Sequence, residues 1–253
     1  MTLVADAAHL GTPERLWRAP GVLDTLPAWR PPACRALLVV APHPDDEVLG
    51  AAGALLQCAR AGAEARLLAV TDGEGSHPRS QVTPSALAAR RRAESAEGLR
   101  RLGLTAVVQR RLALTDGGVA AAEGAVSEAI AAMAGAGDLV LAPWVADGHR
   151  DHDACGRAAR AAAARTGATL VEYLVWAWHW ASPAGGELPL GGAVRLPLPR
   201  RDVAAKRWAT AAHRSQVRGI GSGPHDGPVL PDAMLRRAWR PFEVLLPWAG
   251  DDA

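Results

Sequence analysis

Residues 36–47 read ALLVVAPHPDDE, an apolar run that ends abruptly in a group of ionisable residues. The apolar part, 36–40, predicts a strand buried on both faces of a sheet, and the next residues predict a helix at 47–61 that ends at Gly62. The same alternation continues along the chain, with strands predicted at 66–70, 106–112, 138–142 and 170–180 and helices at 85–102, 118–135, 152–165 and 202–217. Strands that alternate with longer helices are typical of an α/β, Rossmann-like three-layer fold with a mostly parallel sheet.

The length of the chain, 253 residues, fits one large domain, and no stretch has the length and polarity of a linker between two hydrophobic cores. We therefore expect a single domain over 1–253. It consists of a proline-rich N-terminal arm at 1–34, a core at 35–217 and a C-terminal extension at 218–253. Two loops rich in glycine and proline, 182–199 and 218–231, are candidate lids.

Composition and charge exclude several classes of protein. Basic residues number 28 against 26 acidic ones, a net charge of +2, and the paired arginines are scattered, so no nucleic-acid partner is expected. No apolar run approaches the roughly 20 residues of a membrane-spanning helix, and the first residues lack the pattern of a signal peptide. The cysteines, Cys34, Cys58 and Cys155, are odd in number and widely spaced, which does not encode a disulfide framework. We expect a cytoplasmic protein, and a homo-oligomer stays open.

Ionisable side chains crowd together where the first predicted strand ends, at His43, Asp45, Asp46 and Glu47. Burial of like charges is costly, and a bound cation is the usual reason for such a group. A second group of histidines and aspartates, 147–153, follows the fourth predicted strand. If the sheet winds outward in both directions from its first strand, strands 1 and 4 are neighbours, and both groups face one crevice at their carboxyl ends. We expect the active site there.

His43 and Asp46, with one histidine of the pair His149 and His152, would supply two imidazoles and a carboxylate. Such a donor set leaves positions for water and substrate and is typical of a catalytic metal site, for which one zinc ion per chain is expected. Ferrous iron accepts the same donors. The spacing does not decide which of the two histidines binds the metal.

The remaining ionisable residues of the two groups indicate hydrolysis of an amide. Asp45 adjoins Asp46 but is expected to point to another side of the turn, where it can act as general base for a water that attacks a carbonyl carbon. The histidine that does not bind the metal can stabilise the oxyanion or protonate the leaving nitrogen.

The motif HPDDE at 43–47 and the motif H-x-D-H at 149–152 together resemble the LmbE-like or PIG-L family of zinc-dependent N-deacetylases, over residues 38–216. The resemblance implies removal of an N-acetyl group from an N-acetylglucosamine-type amino sugar conjugate, a small molecule, by attack of a zinc-bound water. It places the metal ligands on His43, Asp46 and His152, the general base on Asp45, and a second active-site histidine on His149.

Weaker similarities concern the substrate. Arg91, in the pattern Arg91-x-x-Glu94, resembles an arginine that contacts the conjugate, and Asp116 resembles a carboxylate that binds sugar hydroxyls. Lys206, the only lysine of the chain, begins a motif that is similar to one near the end of the family's core. Trp144 lies in the second histidine-bearing loop, where an indole ring would be placed to stack on a sugar.

Two features leave alternatives open. Trp176, Trp178 and Trp180 alternate within the fifth predicted strand and are expected to face the same side. Asp147 stands where some relatives have a tyrosine directed at the reacting carbonyl, and Arg150 where many have proline.

The residues of the two motifs would also suit an inactive relative that binds metal and carbohydrate, or a ferrous oxygenase, whose usual scaffold is a β-sandwich.

Overall fold

The computed structural model describes residues 11–250, so the beginning of the predicted N-terminal arm and the end of the predicted extension lie outside the described residues. The strands are β1 (Ala36–Ala41), β2 (Glu64–Thr71), β3 (Val108–Leu114), β4 (Leu139–Pro143), β5 (Thr169–Tyr173), β6 (Val194–Pro197) and β7 (Phe242–Pro247). The α-helices are α1 (Glu14–Trp17), α2 (Asp46–Leu49), α3 (Ala52–Arg60), α4 (Pro84–Arg101), α5 (Glu123–Ala131), α6 (Arg150–Thr166), α7 (Ala177–Trp180), α8 (Arg200–Thr210), α9 (Arg214–Val217) and α10 (Asp232–Ala238). None of the helices described here is both long and apolar enough to cross a membrane.

Within residues 11–250, seven strands form one sheet in the order β3-β2-β1-β4-β5-β7-β6. Strands β1 to β5 pair in parallel, and β7 pairs antiparallel with both β5 and β6. The chain winds from β1 to β3 in one direction and from β4 to β5 in the other, so the strand order reverses between β1 and β4. A ligand crevice is expected outside the carboxyl ends of the strands at such a point. The predicted α/β three-layer fold with a mostly parallel sheet is confirmed.

Alternate residues of β1 pack into two different hydrophobic clusters, one on each face of the sheet. Leu37 and Val39 belong to the cluster that includes Leu55 of α3. Leu38 and Val40 belong to the cluster on the other face, beside α5 and α6. The continuous apolar run at 36–40 follows from this burial on both faces.

The C-terminal segment supplies a strand inside the sheet, which the sequence analysis did not predict. Strand β7 lies between β5 and β6 and pairs with both. The residues predicted as an extension at 218–253 therefore contribute to the same sheet as the predicted core. Pro241 and Pro247 flank this strand, and prolines in a sequence argue against a strand inside a sheet. The strand is also short, and its partners are distant in sequence.

The predicted strand at 170–180 is wrong over its second half. Strand β5 ends at Tyr173, and the chain turns into α7. The carboxylate of Asp147 accepts the backbone N–H groups of Val175, Trp176 and Ala177, each at 3.0 Å. Because those amides bind a carboxylate instead of a neighbouring strand, the alternating tryptophans do not line one face of the sheet.

Candidate metal centre

The turn after β1 holds its carboxylates in a strained backbone. Asp45 has φ of 139°, a conformation that favours glycine. Its N–H donates to Glu47 Oε2 at 2.9 Å, and the other oxygen of Glu47 accepts from Ser95 Oγ at 2.6 Å. Asp46 Oδ2 accepts the N–H of His43 at 2.9 Å, which closes the turn. As a result, neighbouring Asp45 and Asp46 direct their carboxylates at different partners.

Asp46 is the point on which two histidine rings converge. Its Oδ2 lies 3.4 Å from Nδ1 of His43 and 3.2 Å from Nε2 of His152. A tetrahedral metal with bonds of about 2.0–2.1 Å separates its ligand atoms by about 3.3 Å. Two of the three ligand-to-ligand distances therefore fit a metal held by these residues.

The second nitrogen of each ring faces another carboxylate. His43 Nε2 lies 3.2 Å from both Asp116 Oδ1 and Asp151 Oδ2. His152 Nδ1 lies 2.8 Å from Asp147 Oδ2. Metal-binding histidines almost always have a carboxylate or carbonyl at the nitrogen that does not bind the metal, because it fixes the ring and its proton.

The protonation of the cluster also fits a cation. Burial by itself lowers the pKa of His152, but Asp46 and Asp147 outweigh burial and raise the pKa to about 9. Neither ring nitrogen of His152 has a hydrogen bond of normal geometry among the described residues, although both face carboxylate oxygens. A divalent cation between His152 and Asp46 would replace the proton on Nε2 and satisfy that atom.

His149 lies at the edge of this cluster and begins α6. Its Nδ1 accepts the N–H of Asp151 at 3.2 Å, and its ring packs edge-on against His43, with centroids 4.8 Å apart. Burial, together with the charges of His43 and His152, lowers the pKa of His149 to about 3. The ring is therefore neutral, and because Nδ1 is an acceptor, Nε2 carries the proton.

Two other groups of donor atoms share His43. The ring nitrogens of His43, His149 and His152 lie within 4.8 Å of one another, and so do atoms of His43, Asp116 and Asp151. We favour the group around Asp46, because Nδ1 of His149 already accepts a backbone N–H at the start of α6. Asp151 likewise accepts the N–H groups of Gly117 and Val119.

Arg91 of helix α4 contacts the turn after β1. Arg91 donates to the carbonyl oxygens of Gly73 at 2.8 Å and Pro44 at 2.9 Å and lies 3.4 Å from Asp45 Oδ2. Burial raises the pKa of Asp45 to about 8, against the opposing effect of Arg91. Arg91 is 3% exposed, and these contacts tie it to the loop that carries Asp45, while its contact with a substrate stays a prediction.

The other residues predicted to bind substrate have different positions. Asp116 adjoins the cluster, where it contacts His43 and accepts the N–H of Gly75. Trp144 is buried in an apolar cluster that includes Trp17. Lys206 is buried, and its ammonium donates to Glu243 Oε1 at 2.6 Å. Both side chains are buried among protein partners, and their contact with a substrate stays a prediction.

Trp176 is the neighbour of the cluster that the sequence analysis missed. Its ring stacks on His149, with centroids 5.7 Å apart and an interplanar angle of 26°. A strand at 170–180 does not predict this contact, because the contact requires a turn after Tyr173. That turn depends on Asp147, which is distant in sequence. No local sequence pattern indicates that Trp176 lies near the histidine-bearing loop.

Comparisons with known proteins agree with this arrangement. The PIG-L family model, described as GlcNAc-PI de-N-acetylase, matches residues 38–163. No curated protein matches the sequence of the chain.

Solved structures provide a second comparison. A conserved protein from Thermus thermophilus is 30% identical, with 71% of this chain and 79% of that one covered and a TM-score of 0.53. An N,N'-diacetylchitobiose deacetylase from Pyrococcus horikoshii is 21% identical, with 73% and 71% covered and a TM-score of 0.57. A teicoplanin deacetylase, in a zinc-inhibited form, is 20% identical, with 86% and 100% covered and a TM-score of 0.63. The two deacetylases, which are less similar in sequence, show similarity of fold alone.

Proposed function

The chain belongs to the PIG-L (LmbE-like) family, and on that premise we propose that it is a metal-dependent hydrolase that removes an N-acetyl group from an N-acetylglucosamine-type amino sugar conjugate. The observation that carries the proposal is the convergence of His43 and His152 on Asp46, with Asp45 beside them. The α/β fold argues against the ferrous oxygenase, which usually has a β-sandwich.

We assign His43, Asp46 and His152 as the ligands of one zinc ion per chain, although ferrous iron suits the same donors. When bound, such an ion acts as a Lewis acid and lowers the pKa of a water bound to it. The nitrogen and oxygen atoms named above would hold it, and Asp116, Asp151 and Asp147 would orient the two rings.

Asp45 is the proposed general base. Its carboxylate faces Arg91, whereas that of Asp46 faces the two histidines. Burial raises the pKa of Asp45 to about 8, near the pH at which a base can both accept and return a proton. Asp45 accepts a proton from the attacking water as the oxygen adds to the acetyl carbon. The C–N bond then breaks, and the products are acetate and the free amine of the sugar.

His149 is the proposed donor for the developing charge. Its neutral ring presents the Nε2 proton, since Nδ1 accepts the N–H of Asp151. That proton can stabilise the oxyanion or reach the leaving nitrogen. Trp176, half-buried against His149, would offer an apolar wall to a sugar ring.

The substrate class is supported by the names of two solved relatives, deacetylases of N,N'-diacetylchitobiose and of teicoplanin. The test is metal determination on the isolated protein, followed by an amine-release screen over N-acetylglucosaminyl conjugates. The screen includes the free sugar and thiol, nucleoside and glycopeptide conjugates. We expect amine release that requires the metal and is insensitive to oxygen. A metal-loaded protein that releases amine from none of them contradicts the proposal.

A further inference from the structure

Asp147 joins three segments of the chain through one buried carboxylate. It follows β4, and its side chain is fully buried. Oδ1 accepts the N–H groups of Val175 and Ala177, and Oδ2 accepts that of Trp176. Oδ2 also lies 2.8 Å from Nδ1 of His152. The partners of Asp147 thus come from the turn after β5 and from α6.

The contact with His152 decides which ring nitrogen can bind a metal. A buried carboxylate this close to Nδ1 favours a proton on that nitrogen when the ring binds a metal through the other one. A metal would then displace the proton of Nε2, the nitrogen that faces Asp46 at 3.2 Å. The opposite tautomer would place a proton between His152 and Asp46, where the metal is proposed.

The contacts with the three amides decide where Trp176 lies. Because these amides bind Asp147 instead of a neighbouring strand, the chain leaves the sheet after Tyr173 and enters α7. The indole of Trp180 returns to the same residue and donates to the carbonyl oxygen of Asp147 at 2.8 Å. This turn places the ring of Trp176 against His149.

We propose that Asp147 is a positioning residue that orders both sides of the site at once: the His152 ligand and the wall formed by Trp176. The metal side of this inference rests on the donor set named under the proposed function, but not on the identity of the substrate. The resemblance to relatives with a tyrosine here does not suggest this role, since a tyrosine would supply one oxygen where Asp147 uses two.

The test is the substitution Asp147→Asn, read by zinc affinity. The asparagine oxygen can still accept from Val175 and Ala177, but its NH2 group would take the place of Oδ2. As a donor, that group would make Nδ1 of His152 an acceptor and move the ring proton to Nε2. We expect zinc affinity, measured by competition with a chromophoric chelator, to fall about 10–100-fold.

The matched control is Asp153→Asn, which removes a carboxylate from the same region. Asp153 accepts the N–H of Gly148 at 3.0 Å and has no contact within ion-pair distance of His152 among the described residues. We expect its zinc affinity to equal that of the wild type. Unchanged affinity in Asp147→Asn, or an equal loss in both variants, would overturn the proposal.

A measurement on the wild type covers the case in which Asp147→Asn does not fold. In zinc-loaded protein labelled with 15N-histidine, His152 should show a slowly exchanging proton on Nδ1. A zinc-bound or unprotonated Nδ1 overturns the proposal.

Trp176→Leu tests the second side. Because the indole stacks on His149, which is not one of the proposed metal ligands, we expect unchanged zinc affinity and a raised KM in amine release. A KM equal to that of the wild type overturns this half. If no conjugate is deacetylated while Asp147→Asn still loses zinc, the proposed function fails and the metal half of this inference stands.

Discussion

Two regions of the molecule bury charged side chains, and they differ in how the charge is balanced. Lys206 and Glu243 form a closed pair at 2.6 Å, and both are nearly inaccessible. The carboxylate of Glu243 also accepts the N–H groups of Gly53 and Ala54 at the start of α3. One cation meets one anion, and the remaining lone pairs of the anion are satisfied by backbone.

The cluster of histidines and aspartates around Asp46 is not closed in this way. Asp46, Asp147 and Asp151 surround His43 and His152, and the two rings can neutralise those carboxylates only by holding protons. An excess of buried carboxylate is stabilised when a cation binds or when protons are held. Burial of charge alone therefore does not indicate a site, whereas burial of unbalanced charge indicates one that would suit a cation.

The largest effect is expected from removal of a ligand at the unbalanced centre. His152→Ala leaves Asp46 and Asp147 without their common partner, so zinc binding should be lost and amine release should fall at least about 1,000-fold. His77→Ala is the control, because His77 is also a buried histidine but bonds to the carbonyl oxygen of Gly227. Stoichiometric zinc in His152→Ala, measured by metal analysis, would break the comparison.

Asp45→Asn should separate the base from the metal. Asp45 makes no contact with His43 or His152 within ion-pair distance among the described residues, so zinc should remain bound. Turnover should fall about 100–10,000-fold, because asparagine cannot accept the proton of the attacking water. The measurements are zinc content and kcat. A zinc-loaded variant with wild-type kcat rules out Asp45 as the base.

Zinc affinity should depend on pH because protons and zinc compete for the same atoms. Asp46 and Asp147 raise the pKa of His152 to about 9, against the effect of burial, so the proton is held below that pH. Affinity should therefore rise with pH by about tenfold per pH unit for each proton displaced, between about pH 6 and pH 8. Chelator competition measures the slope, and Asp45→Asn should leave it unchanged. A flat profile contradicts the competition.

The balanced pair should affect stability and leave the site alone. Lys206→Met strands Glu243 as a buried anion, which should lower the free energy of unfolding by about 3–5 kcal/mol. Lys206→Met combined with Glu243→Gln should recover part of the loss, since the amide oxygen still accepts from Gly53 or Ala54. Urea unfolding measures both, and zinc affinity per folded molecule should not change. A loss of zinc affinity would show that the two regions are coupled.

Local pattern was sufficient for the parts of the fold whose signals are local. The strand at 36–40, the later parallel strands and the α/β class follow from apolar runs that alternate with helices, and the predicted meeting of β1 and β4 follows from strand order. The residues of the HPDDE and H-x-D-H motifs come together at that point, although their chemical roles stay predictions.

What could not be predicted depends on partners far along the chain. The ion pair of Lys206 with Glu243 could not be predicted, because nothing near Lys206 in sequence indicates that partner. The turn after Tyr173 depends on Asp147, and strand β7 depends on pairing with β5 and β6. Both Trp144 and Trp176 carry an indole that could stack on a sugar. Only the packing of the chain shows that Trp144 is buried, whereas Trp176 lies beside His149.

The left-handed backbone of Asp45 has a consequence for engineering. A non-glycine residue in such a sparsely populated conformation costs of order 1–3 kcal/mol, so glycine would suit this turn better than the residue present. Selection for thermal stability alone would favour Asp45→Gly and discard the proposed base. Directed evolution of this protein toward heat resistance should therefore fix position 45 before it begins.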